Sequence, residues 1–287
     1  MAHALRDGGR SLWSGLAKGR LASATHSRLS FPSGTRNMLL HAVRVASTYS
    51  LDEDRYSSLY QTHIPTNLLQ KTLLATGSAF MSLYDPYRHD MVAVLAETTG
   101  QIAIRNLRDR MRNDAEGHQI LQDRPRISTS TLDLTSLREL PPGTLGREYI
   151  RFLDVNQVTP DSRMPVKFVD NEELAYVMQR YREVHDFMHT LLGMPTNILG
   201  EVAVKWFEAV QTGLPMCILG AVFGPLRMSA RKIKILTRDL IPWAVQCGRT
   251  AHCVLNIYYE NRWDQNLESL REEIGILPPP LQNTSRM

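Results

Sequence analysis

The chain has 287 residues, of which 43% are hydrophobic and 22% charged, proportions that exclude a largely disordered or collagen-like protein. Its pI near 9.0 misleads: Arg6, Arg10, Lys18, Arg20, Arg28, Arg36 and Arg44 face only Asp7 within residues 1–51, and beyond them 26 of the 33 basic residues stand against 28 of the 29 acidic ones. The folded part is slightly acidic, so the overall charge gives no reason to expect nucleic acid as its partner.

Residues 1–51 are rich in Arg, Ser, Ala and Leu and broken by Gly8-Gly9, Pro32 and Gly34. That is the composition of a mitochondrial presequence, and no apolar stretch long enough for a secretory signal follows the first charges. A basic tail without an address is the alternative reading. Cleavage is expected around Arg44 to Ser47, with a mature start near Leu51. Cys217, Cys247 and Cys253 form no C-x-x-C pair. So sparse and odd a set points to a reducing compartment and away from a disulfide framework or a zinc–thiolate site.

From Tyr56 the periodicity is mostly helical. Thr66 is expected to cap a helix whose apolar side carries Leu68, Leu69, Leu73, Leu74 and Phe80. Asp85-Pro86 begins a second, running roughly from Tyr87 to Asn113, with Gly100 as a kink or break. Residues 114–133 contain Gly117, Pro125 and a Ser/Thr run, and read as a long connection. Pro141-Pro142-Gly143 is a turn, and Thr144 caps the helix after it. The loop at 159–162 precedes the strongest helix of the chain, over about 171–192.

Between 209 and 226 no residue is charged. This approaches the length of a membrane span, but its glycines, prolines and Gln211-Thr212 argue against a spanning helix. The segment is expected either as a buried helix pair or as an apolar surface meeting a bilayer or a prenyl tail. Arg227, Arg231, Lys232, Lys234 and Arg238 follow, with Ile233, Ile235 and Leu236 between them. That stretch suits attachment to anionic lipid, or is simply a solvated helix face. The run Gly275 to Pro280 ends regular structure. With no β-α-β alternation and no repeat, the expected fold is all-α: a single helical domain over 52–275 containing a metal-binding helical hairpin, then a disordered tail at 276–287.

The chemistry concentrates in the helix around residue 180. Leu174, Met178, Tyr181, His185, Met188 and Leu192 recur at spacings of four and three and share one face. His189 lies one turn after His185, and Asp186 sits at the edge of the same sector, roughly 60° from His189 at 100° per residue. Gly193-Met194-Pro195 stops the helix, Thr196 or Asn197 caps another, and Glu201 falls in its second turn. An antiparallel hairpin would return Glu201 toward His189. Two imidazoles and two carboxylates suit a divalent transition metal such as zinc, and the carboxylates would balance its charge. The plainer alternative is a hydrogen-bonded core histidine, with Glu201 paired to Lys205 and Asp186 to Arg182 on solvated faces.

Arg180-Tyr181-Arg182-Glu183-Val184-His185-Asp186, His189, Gly193 to Asn197 and Gly200-Glu201 resemble the HDxxH-x(11)-E signature of the mitochondrial ubiquinone biosynthesis protein 4 homologs. His63 to Asn67, Tyr84 to Asp90, Trp206 to Gln211, Leu214 to Cys217 and Ile241 to Ala244 also look like that family. The resemblance covers about 56–275, with Ala96 before Glu97 where glycine is expected. It implies a helical, matrix-side protein, peripheral on the mitochondrial inner membrane, within a multi-subunit assembly of coenzyme Q biosynthesis proteins. It further implies a divalent metal, zinc first, held by His185, Asp186, His189 and Glu201. The implied activity is metal-dependent removal of the C1 carboxyl of a 4-hydroxy-3-methoxy-5-polyprenylbenzoate, replaced in the oxidative form by a hydroxyl. Zinc cannot change oxidation state, so there the electrons must pass from the phenol to dioxygen. A non-catalytic scaffold binding prenylated intermediates is the alternative, and a His-Asp phosphohydrolase is disfavoured by the lack of a phosphate cradle. Arg88, Arg180 and Arg182 are candidate partners for a substrate carboxylate.

Overall fold

Asn67, rather than Thr66, opens the first helix of the described chain, α1 (Leu68–Tyr84): its side chain accepts from the Gln70 N–H while Gln70 reaches back to the Asn67 N–H. The computed structural model describes residues 59–85 and 88–280; the expected presequence over 1–51 and most of the expected tail, residues 281–287, lie outside the described residues. The segment expected as one helix to Asn113 is two, α2 (His89–Thr99) and α3 (Gln101–Arg112), parted at Gly100. The stretch read as a connection from 114 contains a helix, α4 (Ala115–Asp123). Asp114 caps it by accepting from the Gly117 N–H, and it buries Ile120 and Leu121. Only two apolar positions carry that short stripe, too few to stand out as a period.

Two helices follow, α5 (Leu134–Glu139) and α6 (Leu145–Asn156), the second capped by Thr144 as expected. Then comes α7 (Glu172–Leu192), capped by the Asn171 side chain on the Leu174 N–H. The remaining helices are α8 (Ile198–Thr212), α9 (Pro215–Phe223), α10 (Ala230–Ile235), α11 (Ile241–Thr250) and α12 (Leu267–Ile274). No strand occurs among the described residues; an isolated bridge joins Thr144 to Asn266. The fold class is all-α. The packed region runs past residue 275: Ile276 is buried, and Trp243 Nε1 donates to the Leu277 carbonyl at 3.1 Å.

Every residue of α7 from Leu174 to Leu192 is buried, because α3, α6, α8 and the turn at 254–256 pack around it. Phe187 shows what anchors it. Its ring stacks on Tyr149 of α6 at 4.0 Å and on Tyr259 at 4.6 Å between centroids, and burying one such side chain stabilises the fold by about 1.5–3 kcal/mol. The helix is therefore fixed in rotation, which in turn fixes where its histidines point.

The apolar side of α1 does not join this core: Leu68, Leu69, Leu73 and Phe80 are exposed. The periodicity was real, but it marks an outward face. In the uncharged 209–226 segment, Met216, Cys217 and Ala221 are buried while Ile218, Val222, Phe223 and Leu226 are exposed. Arg227 ties this region to α1 by donating to the Leu83 and Tyr84 carbonyls at 2.6 and 2.7 Å. Among the described residues, no helix is long and apolar enough to cross a membrane.

Candidate metal centre

Helices α7 and α8 form the expected hairpin, and two glycines make it tight. Gly193 takes φ +63° at the end of α7, a left-handed turn that glycine adopts freely. Gly200 lies so close to the turn that a Cβ there would sit 2.0 Å from the Pro195 carbonyl oxygen. Asn197 caps α8 by accepting from the Leu199 and Gly200 N–H groups. Glu201, the next residue, is thereby brought back over α7.

His185, His189 and Glu201 each offer a ligand atom, and these atoms lie within 4.8 Å of one another. The Glu201 oxygens stand 3.4 Å from His189 Nε2 and 3.9 Å from His185 Nε2. The two rings meet edge to face, 4.9 Å apart at 86°.

Hydrogen bonding on the far side of each ring decides what faces the cluster. His189 Nδ1 is 3.0 Å from the Met194 carbonyl oxygen. A carbonyl only accepts, so Nδ1 carries the proton and a neutral His189 turns the bare lone pair of Nε2 inward. That atom is buried and has no hydrogen-bond partner. His185 Nδ1 donates to Glu208 Oε1 at 2.6 Å, which leaves its Nε2 facing the cluster in the same way. Burial, helped by the nearby Lys205 charge, pushes the His185 pKa below its ordinary value and favours the neutral ring. Burial would raise the Glu201 carboxyl, but its neighbours His189, His185 and Lys205 outweigh it and hold it low, at about 2, so it stands in the cluster as a carboxylate. With both rings in these tautomers, three acceptor groups converge with no donor between them. Such a set is repulsive unless a cation joins it, and two imidazole nitrogens with a carboxylate suit a borderline divalent ion such as zinc. The residues present fit a metal.

Asp186 stands apart from that trio. Its carboxylate accepts from Arg163 Nη2, and its other oxygen accepts nothing from the described residues. The salt-bridge alternatives do not form: Lys205 pairs with Glu208 rather than Glu201, and Arg182 with Glu97 rather than Asp186.

Sequence reasoning missed Glu208 and Arg163, and offered Lys205 only as a partner of Glu201. Glu208 is wholly buried on α8, two turns beyond Glu201, and accepts from both His185 and Lys205. Burial opposes its charge, yet Lys205 and His185 hold its carboxyl well below the ordinary range. The thiol of Cys217, 3.6 Å from Glu208, is pushed up to about 12 by burial and by that carboxylate. Tyr181, in contact with Cys217 and Lys205, is likewise raised by burial. Both stay neutral, so Glu208 and Lys205 are the charges of this second layer. The available signal was an acid set between Phe207 and Ala209 on a helix otherwise short of charge.

A family model described as coenzyme Q (ubiquinone) biosynthesis protein Coq4 matches residues 60–280. The mitochondrial ubiquinone biosynthesis protein COQ4 homolog of Xenopus tropicalis is 75% identical over 78% of this chain and 80% of its own length. The Homo sapiens homolog is 69% identical over 79% and 86%. A crystal structure of a candidate ubiquinone biosynthesis protein from Nostoc punctiforme superimposes with a TM-score of 0.58 at 22% identity, covering 74% of this chain and 99% of that one. At that identity the likeness concerns the fold alone.

Proposed function

The chain belongs to the coenzyme Q (ubiquinone) biosynthesis protein Coq4 family, and on that premise we propose that it is a metal-dependent enzyme removing the C1 carboxyl of a 4-hydroxy-3-methoxy-5-polyprenylbenzoate. The observation that carries this reading is the convergence of His185, His189 and Glu201, whose ligand atoms lie within 4.8 Å of one another. Asp186, with one carboxylate oxygen that accepts no hydrogen bond from the described residues, is the proposed fourth ligand. Zinc or a similar divalent ion would supply a Lewis acid that stabilises negative charge as the carboxyl carbon departs. The chain's own residues do the rest. Glu208 and the Met194 carbonyl hold the two imidazoles in one tautomer, and Glu201 balances charge.

In the reaction the bond from C1 to the carboxyl carbon breaks and carbon dioxide leaves. Simple decarboxylation puts a proton on C1. Replacement by hydroxyl instead removes two electrons from the substrate; dioxygen takes them and water supplies the oxygen, giving peroxide. The relatives' names support mitochondrial residence, and we place the protein peripherally on the matrix side of the inner membrane, among other coenzyme Q biosynthesis proteins. The exposed apolar side chains of α1 and α9, with Arg231, Lys234 and Arg238 exposed nearby in sequence, support attachment to lipid. Residues 1–51 fit the removable presequence.

The test is release of carbon dioxide from a prenylated 4-hydroxybenzoate by the zinc-loaded protein, abolished in His185→Ala. A folded, zinc-binding, lipid-binding protein without turnover would overturn the enzymatic reading and leave the scaffold.

A further inference from the structure

We propose that Arg163 binds the carboxylate of the ligand beside the metal site and so sets its preference for an aryl acid over the corresponding phenol. The inference deepens the function proposed above and rests on it.

The three arginines that the sequence offered for this role are spent elsewhere. Arg88 forks onto Asp90 at an exposed position. Arg180 is wholly buried against Glu260 and the Ile257 carbonyl. Arg182 is tied to Glu97 and to the Met164 and Ala93 carbonyls.

Arg163 is different. It comes from the loop before α7, and its one side-chain hydrogen bond among the described residues runs from Nη2 to Asp186, the neighbour of His185. Its Nε–H, like that of Arg180, is buried with no acceptor among the described residues; but Nη1 of Arg163 also donates to none of them, whereas both terminal nitrogens of Arg180 are taken. An unpaired buried donor is costly, so this guanidinium is short of an acceptor. Burial opposes its charge, but Asp186 and then Glu201 outweigh that, which places it within electrostatic reach of the metal ligands. His185 in turn feels the Arg163 charge.

Exposure shows the way in. The Arg163 and Glu201 side chains are 28% and 34% accessible, against 3% for Asp186, 10% for His185 and 1% for His189. The histidines and Asp186 form a floor, and Arg163 and Glu201 form the rim. Of the two, only Arg163 attracts an anion. The charge balance agrees: a dication with Glu201, Asp186 and Arg163 leaves one positive charge, and Lys205 and Glu208 cancel each other. One carboxylate would complete it. A guanidinium is also the planar fork that a carboxylate matches best.

The experiment uses the full zinc-loaded chain in detergent, without dioxygen. Calorimetry compares 3-farnesyl-4-hydroxybenzoate with 2-farnesylphenol, which is the same molecule lacking the carboxyl. The wild type should prefer the acid. Arg163→Gln should weaken acid binding by about tenfold to a hundredfold, as loss of a charged hydrogen bond predicts, with phenol affinity and zinc content unchanged. Arg163→Lys should recover part of the loss. An Arg163→Gln protein that keeps zinc and keeps the preference overturns the inference while leaving the proposed function standing. Zinc loss in the variant also overturns it, by reducing Arg163 to a support for Asp186. If the wild type binds neither probe, the proposed function fails and the inference with it.

Discussion

Replacing Glu208 by glutamine separates two jobs that one carboxylate performs. Glu208 is wholly buried and accepts from His185 Nδ1 and from Lys205 Nζ. Glutamine keeps the shape and one acceptor oxygen but loses the charge, leaving the Lys205 ammonium inside the protein without its counter-ion. Removing one partner of a buried pair costs about 3–5 kcal/mol. The second effect concerns the metal. A carboxylate behind a ligating histidine fixes its tautomer and raises its basicity, and its loss typically weakens metal binding ten- to a hundredfold, or about 1.4–2.8 kcal/mol. Adding Lys205→Met removes the stranded ammonium and should restore most of the stability. It cannot restore the charge behind His185, so zinc affinity should stay low in the double variant. Urea unfolding in chelator reads the first effect, and zinc competition with a chromophoric chelator reads the second. If stability and zinc affinity recover together in the double variant, Glu208 is only the counter-ion of Lys205 and the positioning argument is wrong.

Gly200→Ala should destabilise the chain by about 1–3 kcal/mol, since its Cβ would meet the Pro195 carbonyl at 2.0 Å; it should also weaken zinc binding by displacing Glu201. Thermal unfolding and zinc titration check this, and an unchanged midpoint would show that the turn relaxes freely. The protein should behave as peripheral, stripped from mitochondrial membranes by alkaline carbonate, and Leu73→Asp with Phe80→Asp should lower its binding to anionic vesicles without lowering its thermal midpoint. Retention in the carbonate pellet would contradict the first expectation, and undiminished vesicle binding the second.

Local features of this fold were legible in the sequence, and long-range pairings were not. The cap at Thr144 and the α7–α8 turn with its cap at Asn197 are written in a few adjacent residues, because a helix end must satisfy its own N–H groups nearby. The face carrying Leu174, Met178, Tyr181 and His185 followed from period alone, and all four are buried. Period could not say whether Leu68, Leu69 and Leu73 face protein or solvent, since one stripe serves either purpose. Nor could it pair Arg163 with Asp186 or Glu97 with Arg182. Those contacts join elements distant in sequence, and the near neighbours Lys205 and Arg182 offered more obvious partners at helical spacing.

The burial of α7 gives the site its meaning. Arg180, Arg182, Glu183, His185, Asp186 and His189 are all buried on one helix, an arrangement that would be prohibitive if any charge were left alone. Four of them are closed by opposite charges from other parts of the chain: Arg180 by Glu260, Arg182 by Glu97, Glu183 by Arg126 and Asp186 by Arg163. His185 is closed on its outer nitrogen by Glu208, and His189 on its outer nitrogen by Met194. The inner nitrogens of the two histidines are left facing a carboxylate, while the Arg180 Nε–H and one Asp186 oxygen also lack a hydrogen-bond partner among the described residues. With the charges of this helix paired across the fold, neutral imidazoles facing a carboxylate call for a positive partner, which is what a bound cation would supply there.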